Sequence, residues 1–331
     1  MKKLLLVLSL SCLILSAACS NTTSTASTDQ PVEQNKETAT TPEASATTTP
    51  DAQSLGDPAK IDELVKLFPA QQPAKVATVS VTLSEMLSIL GVMPVGVPES
   101  MNPLPAEFDK VTRVGSALKP DAEQIVNVQA DVVIGPSSIK DSLEKTLGNI
   151  KNPRVYLPTD SYDDLKLTLE ALGKVFGKEA EAEKFLTELQ QKESKAIAAS
   201  EGKTAPKVLF LFGSAESFML MNETTYVGDL AKKLQATNVV SSVLKSTESY
   251  IPLDMEQVVT ANPDIILLVS HGDPEAGLKA FEDEVKKNGA WEKMNAYKNH
   301  KVQALDYSLF GSASIQKAPD ALTKLSDVLY Q

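Results

Sequence analysis

Apolar positions along this chain follow two rhythms. One is the short unbroken run bounded by turn residues; the other is the longer segment with an apolar residue every third or fourth position. The clearest run is 265–269, Ile-Ile-Leu-Leu-Val, between a polar approach at Asn262-Pro263-Asp264 and a stop at Gly272-Asp273-Pro274. Such a run predicts a strand buried on both faces, as in a parallel sheet covered by helices. Runs at 75–80, 95–97, 131–135, 155–157, 207–212 and 302–305 predict further strands. The helical rhythm occupies 81–91, where Leu83, Met86, Leu87 and Leu90 share a face and Thr82 with Glu85 reads as a capping box. It returns over 161–200, with Gly173 and Gly177 interrupting, over 274–288 and over 317–330.

One unit occurs twice. The stretch 121–134, Asp-Ala-Glu-Gln-Ile-Val-Asn-Val-Gln-Ala-Asp-Val-Val-Ile, reads like 254–267, Asp-Met-Glu-Gln-Val-Val-Thr-Ala-Asn-Pro-Asp-Ile-Ile-Leu. In each copy a short Glu-Gln helix leads into a buried strand. With strands and helices alternating on either side, this predicts an α/β fold: two Rossmann-like βα lobes joined by a long rigid helix, with a ligand cleft between them. The expected boundaries are 57–160 for the first lobe, 161–203 for the linking helix and 204–331 for the second lobe.

The first 56 residues stand outside that scheme. Lys2 and Lys3 precede an apolar stretch, 4–15, too short to span a bilayer as a mature helix, so 1–18 predicts a signal peptide. Ser16-Ala17-Ala18 then lead directly into Cys19, as in a bacterial lipobox, which predicts a lipidated Cys19 and a protein anchored on the extracytoplasmic face of the cell membrane. From 20 to about 53 the chain is Thr, Ser, Ala, Pro and Glu with almost no large apolar residue. It cannot bury enough surface to offset its conformational entropy, and 19–56 is expected to be a disordered tether.

Composition then excludes several functions. The net charge of −11 argues against nucleic acid as a partner. With Cys12 in the signal and Cys19 lipidated, the folded part has no thiol for a disulfide, a zinc site or a nucleophile. There is no Gly-rich phosphate loop, no HExxH and no Gly-x-Ser-x-Gly, so the chain does not read as an enzyme. Arginine is nearly absent: Arg113 and Arg154 are the only two. Of two histidines, His300 lies in a polar turn and reads as solvent-facing. His271 lies two residues past the 265–269 run, where ligands bind in open α/β sheets. By position alone it is either a ligand-binding residue or a satisfied one.

Six phrases in order and at similar spacing carry a resemblance: 207–211, 225–230, 262–267, 271–275, Trp291 with 296–299, and Phe310-Gly311. The layout resembles the helix-linked two-lobe substrate-binding lipoproteins of ABC importers, and within them the haem-uptake lipoproteins of the IsdE type. The resemblance implies haem carried between the lobes, as transported ligand, for delivery to an ABC permease and its ATPase. It implies a monomer and leaves room for a surface haem-donor protein. Iron in that family is held by a His from the second lobe, which maps onto His271, and a Met from the first. At the Met position this chain has Leu118, which leaves open whether Met101 on the preceding loop supplies the second ligand or the iron is five-coordinate. Imidazole is an ordinary axial ligand of haem iron. Val81, Thr82 and Leu118 would line the pocket; the N–H groups at the helix start Thr82-Leu83 would suit a propionate, or form a simple cap with no ligand. The resemblance also implies that Glu123 and Glu256, one per lobe, dock on permease arginines, although the helix dipole alone favours a carboxylate there. A siderophore or cobalamin is the alternative ligand. Anionic ferric siderophores are commonly held by clustered arginines, which this chain lacks.

Overall fold

A computed structural model describes residues 56–330, except 101, 215–216, 271–272, 288 and 290. The predicted signal peptide, Cys19 and the tether to residue 55 lie outside the described residues, as do His271 and Met101.

The first lobe is a five-stranded parallel sheet. Its strands are β1 (Val76–Thr78), β2 (Gly96–Glu99), β3 (Thr112–Ser116), β4 (Val132–Pro136) and β5 (Arg154–Leu157), in the order β3-β2-β1-β4-β5. The second lobe is built on β6 (Lys207–Gly213), β7 (Phe218–Met221), β8 (Thr237–Asn238), β9 (Tyr250–Pro252), β10 (Ile265–Ser270) and β11 (Val302–Ala304). Its order is β11-β10-β6-β7-β9, with β8 also pairing β6. The trio β11-β10-β6 is parallel; β7 and β9 are antiparallel, so the second lobe carries a two-stranded arm that the first lacks. Every residue of β10 is buried, as its apolar run requires.

The duplicated unit is structural. Asp121 caps the helix Ala122–Asn127, its Oδ1 accepting from Glu123 N at 3.0 Å and Gln124 N at 3.1 Å. Asp254 caps Met255–Ala261 in the same way, accepting from Glu256 N at 2.9 Å and Gln257 N at 3.2 Å. The match continues into the strands. Asp131 Oδ2 accepts from Ala74 N and Lys75 N, and Asp264 Oδ2 accepts from Lys207 N. Each aspartate thus pins the start of the neighbouring parallel strand, satisfying donors the ladder leaves over.

The connector departs from the single long helix expected over 161–203. It is two helices, Tyr162–Phe176 and Glu179–Ala198, broken where Gly177 turns left-handed at φ 63° and caps the first. Glycine adopts that conformation at no steric cost, and the chain reverses there. Tyr162 OH reaches Glu193 Oε2 at 3.2 Å, so the pair folds back as an antiparallel hairpin. Gly173 lies where a Cβ would come within 2.9 Å of the Ala182 side chain, which is why the helices approach so closely. The same hydrophobic cluster runs from Leu83 and Phe108 through Leu169 and Leu189 to Phe210 and Leu325, so both lobes and the connector share one core. The helix Pro58–Val65, not expected from the sequence, packs on the connector's first half and buries Ile61.

Candidate functional site

Residues past one strand of each lobe meet: those after β1 in the first lobe and those after β11 in the second. In the first lobe β1 runs into the helix Val81–Ile89. Its N-cap is Ser80, whose hydroxyl accepts from Leu83 N, so Thr82 and Glu85 are not the capping box the spacing suggested. Both reach the other lobe instead. Thr82 Oγ1 donates to Ala313 O at 2.7 Å, and Glu85 Oε2 accepts from Ser314 Oγ at 2.8 Å. Asn102 Nδ2 donates to Ser312 Oγ at 2.9 Å. Three consecutive residues of the second lobe, 312–314, are therefore each stitched to the first. Tyr226 OH donates to Ser314 O at 2.9 Å and fixes that segment from its own side.

Burial pushes the Glu85 carboxyl up, and the Ser314 hydroxyl with the Lys317 charge only partly offsets this. The folded protein thus holds this proton to higher pH than the unfolded chain. Between the ordinary glutamate value and the raised one the native state binds more protons, so stability declines as pH rises through that window. Glu85→Gln removes this dependence. Lowering pH from 7 to 5 is expected to raise the melting temperature of the wild type relative to that of Glu85→Gln, measured by thermal unfolding; a constant difference would show that Glu85 does not titrate there.

Leu118 sits at the tip of a tight turn in which Ser116 and Lys119 exchange both backbone hydrogen bonds. Gly115, at φ 81° and with a would-be Cβ only 2.5 Å from Asp121 N, makes that turn possible. The leucine is 74% exposed, an unusual setting for an apolar side chain. Val81 is half-buried, and Thr82 is buried with its hydroxyl committed to Ala313. His271 would follow directly on Ser270, the buried last residue of β10. Glu123 and Glu256 are both exposed, on the first turns of the duplicated helices.

Sequence reasoning missed Phe212, Met219 and Tyr250 in the second lobe and Asp160 in the first. Burial raises the Asp160 carboxyl, with Ser138 hydrogen-bonded to it. Burial, and after it the Asp160 charge, raise the Tyr250 phenol. No motif announces these residues; only strand pairing between distant segments brings them together. Both arginines are spent inside the first lobe. Arg113 donates to Phe108 O at 3.0 Å, and Arg154 donates to Glu144 Oε1 at 3.0 Å and to Ile150 O and Asn152 O.

Two βα lobes thus share one core and are stitched together where residues 82, 85 and 102 meet residues 312–314. The chain belongs to the periplasmic binding protein family, which matches residues 76–309. It is a substrate-binding protein of the ABC-importer type, whose partners are a permease and an ATPase; its relatives are extracytoplasmic transport proteins and not enzymes. It is 30% identical over 261 residues to the high-affinity heme uptake system protein IsdE of Staphylococcus aureus, covering 78% of this chain and 87% of that protein. The solved structure of S. aureus IsdE complexed with heme superposes with a TM-score of 0.69 at 31% identity, covering 78% of this chain and 99% of that one. An ABC transporter substrate-binding protein from Listeria monocytogenes gives a TM-score of 0.71 at 30% identity, covering 78% and 99% respectively. Among the described residues no helix is long and apolar enough to cross a membrane.

Proposed function

We propose that this protein binds haem between its lobes and delivers it to an ABC permease for haem-iron uptake. The observation that carries this reading is the likeness to IsdE complexed with heme, which extends over 99% of that chain rather than over one lobe. The geometry supports it. The buried strand β10 ends one residue before His271 in the sequence, and an exposed Leu118 offers apolar surface to a macrocycle. His271 supplies the imidazole for the iron; Met101 is the candidate second ligand, and a five-coordinate iron is the other arrangement. Committing both arginines to first-lobe contacts leaves no guanidinium cage for an anionic siderophore. Cys19 carries the lipid that holds the protein at the outer face of the membrane, with 19–56 as tether. Glu123 and Glu256 meet the permease, one per lobe, and a surface haem-donor protein loads the monomer.

Haemin titration tests the reading. A Soret band saturating at one equivalent is expected, and His271→Ala is expected to lose the axial imidazole signature and weaken binding by about 100-fold. No haemin binding by the wild-type protein in either redox state would overturn it. Spectra of Met101→Ala and Leu118→Met then identify the second ligand: Met101→Ala changes the band only if Met101 is coordinated.

A further inference from the structure

Strand register sorts the second sheet's side chains. Phe210 pairs Met221 and Met221 pairs Tyr250; Phe212 pairs Met219 and Met219 pairs Pro252. Directly paired residues share a sheet face, so Phe210, Phe212, Met219, Met221 and Tyr250 lie together. Phe210 and Met221 belong to the core that also holds first-lobe residues, whereas Leu209, Leu211 and Leu220 belong to the core on the opposite face. The first set therefore lies on the sheet face whose core continues through the connector into the first lobe. Along it burial falls away. Phe210 is fully buried, Phe212 is half-buried, Met219 is 38% exposed and Tyr250 is 42% exposed.

The uncovered end is ordered. Phe212 and Tyr250 meet edge-to-face with centroids 6.1 Å apart, which fixes the tyrosine ring on the antiparallel arm. Phe212 lies near the carboxyl end of the parallel strand β6, where α/β sheets bind their ligands, and the Asp160 charge, which helps burial raise the Tyr250 phenol, agrees with that placement. A shared core that ends in ordered, uncovered aromatic and thioether side chains, facing a second wall, is apolar surface that a flat apolar ligand would cover.

We propose that Tyr250, with Met219 and Phe212, forms the second-lobe wall against which the porphyrin macrocycle packs, and that Tyr250 positions the ligand through its ring. The inference rests on the haem reading. Its contribution is independent of the iron, because ring contact acts on the macrocycle and the axial ligand acts on the metal.

The test compares haemin with iron-free protoporphyrin IX, followed by absorbance and by porphyrin fluorescence, on the whole folded protein. Tyr250→Ala is expected to weaken both ligands by about tenfold, Met219→Ala by less, while Tyr250→Phe stays near wild type because it keeps the ring. His271→Ala is expected to weaken haemin and leave protoporphyrin IX unchanged. Unchanged affinity of Tyr250→Ala for both ligands, with wild-type binding intact, would overturn the wall and leave the haem reading standing. An equal loss in Tyr250→Phe would overturn it too, since the hydroxyl and not the ring would then be responsible. If the wild-type protein binds neither porphyrin, the haem reading fails and the wall with it. Thermal unfolding of each variant separates lost contact from lost fold.

Discussion

Reversing both charges in the double variant Glu123→Lys, Glu256→Lys is expected to abolish transport and leave ligand affinity at its wild-type value. The two carboxylates are exposed, at matching points of two copies of one helix–strand unit, each held by an aspartate cap at about the same distances. They lie on helix first turns, outside the core the lobes share, so the ligand-binding junction does not depend on them. Losing a favourable helix-dipole contact costs roughly 0.3–1 kcal/mol at each site, too little to unfold a protein of this size. Against a permease that presents arginines, each reversal turns a charge-assisted fork into a like-charge clash. Uptake in cells, or ligand transfer to permease in membranes, reads the effect; haemin titration reads affinity. Unimpaired transport would remove the docking role, and lost affinity would move both residues into the ligand site. Either single reversal is expected to give partial loss, because one lobe still engages.

Lys233→Met is expected to lower stability by about 2–4 kcal/mol, or roughly 5–10 °C in melting temperature for a chain of this size. Lys233, on the helix Tyr226–Lys233, lies 2.8 Å from Asp163 Oδ1 and 3.9 Å from Glu193 Oε1. Lys166 makes the parallel contacts, 3.0 Å to Asp163 and 3.4 Å to Glu193, and both ammonium groups sit over the Tyr162 ring. Asp163 N donates to Asp229 Oδ2 at 2.9 Å. Two lysines thus balance three carboxylates where the connector meets the second lobe. Asp163 is 62% exposed and its pairing is screened, which keeps the expected cost below that of a fully buried ion pair. Glu193 and Asp229 are not exposed, and removing one ammonium leaves them under-compensated. Burial and the neighbouring Asp163 charge hold the Asp229 carboxyl above the usual range, so its charge is a burden. Asp229→Asn keeps the acceptor for Asp163 N and is expected to be nearly neutral at pH 7. Thermal unfolding of both variants checks the pair; equal losses would show that the hydrogen bond, and not the charge balance, holds this junction.

Most of the architecture was legible in the sequence because its signals are local. The unbroken run at 265–269 and the repeated Glu-Gln unit each predict an element from its own residues, and the repeat held down to the capping aspartates and the strand-pinning pair Asp131 and Asp264. The misreadings share one cause. Thr82 and Glu85 have capping-box spacing, but Ser80 caps the helix and both residues are taken up by the second lobe, some 230 positions away. Gly177 was visible as an interruption, yet only the packing of Gly173 on Ala182 shows that the chain folds back there. Leu118 was found through a departure from a family pattern. Tyr250 and Met219 were not, because their exposure follows from an antiparallel arm pairing onto β6, which no window of sequence contains.

The fate of the two arginines has a consequence for recognition between molecules. A bidentate guanidinium–carboxylate pair formed with this protein draws its guanidinium from the other partner, since Arg113 and Arg154 are engaged within the first lobe. Two copies of the chain have no such fork to offer each other, and their net charges of −11 repel. Charge repulsion thus opposes contact between two copies but not contact with an arginine-bearing surface. In the proposed lipid-anchored form, that like charge would work against contact between copies and leave each one open to the permease.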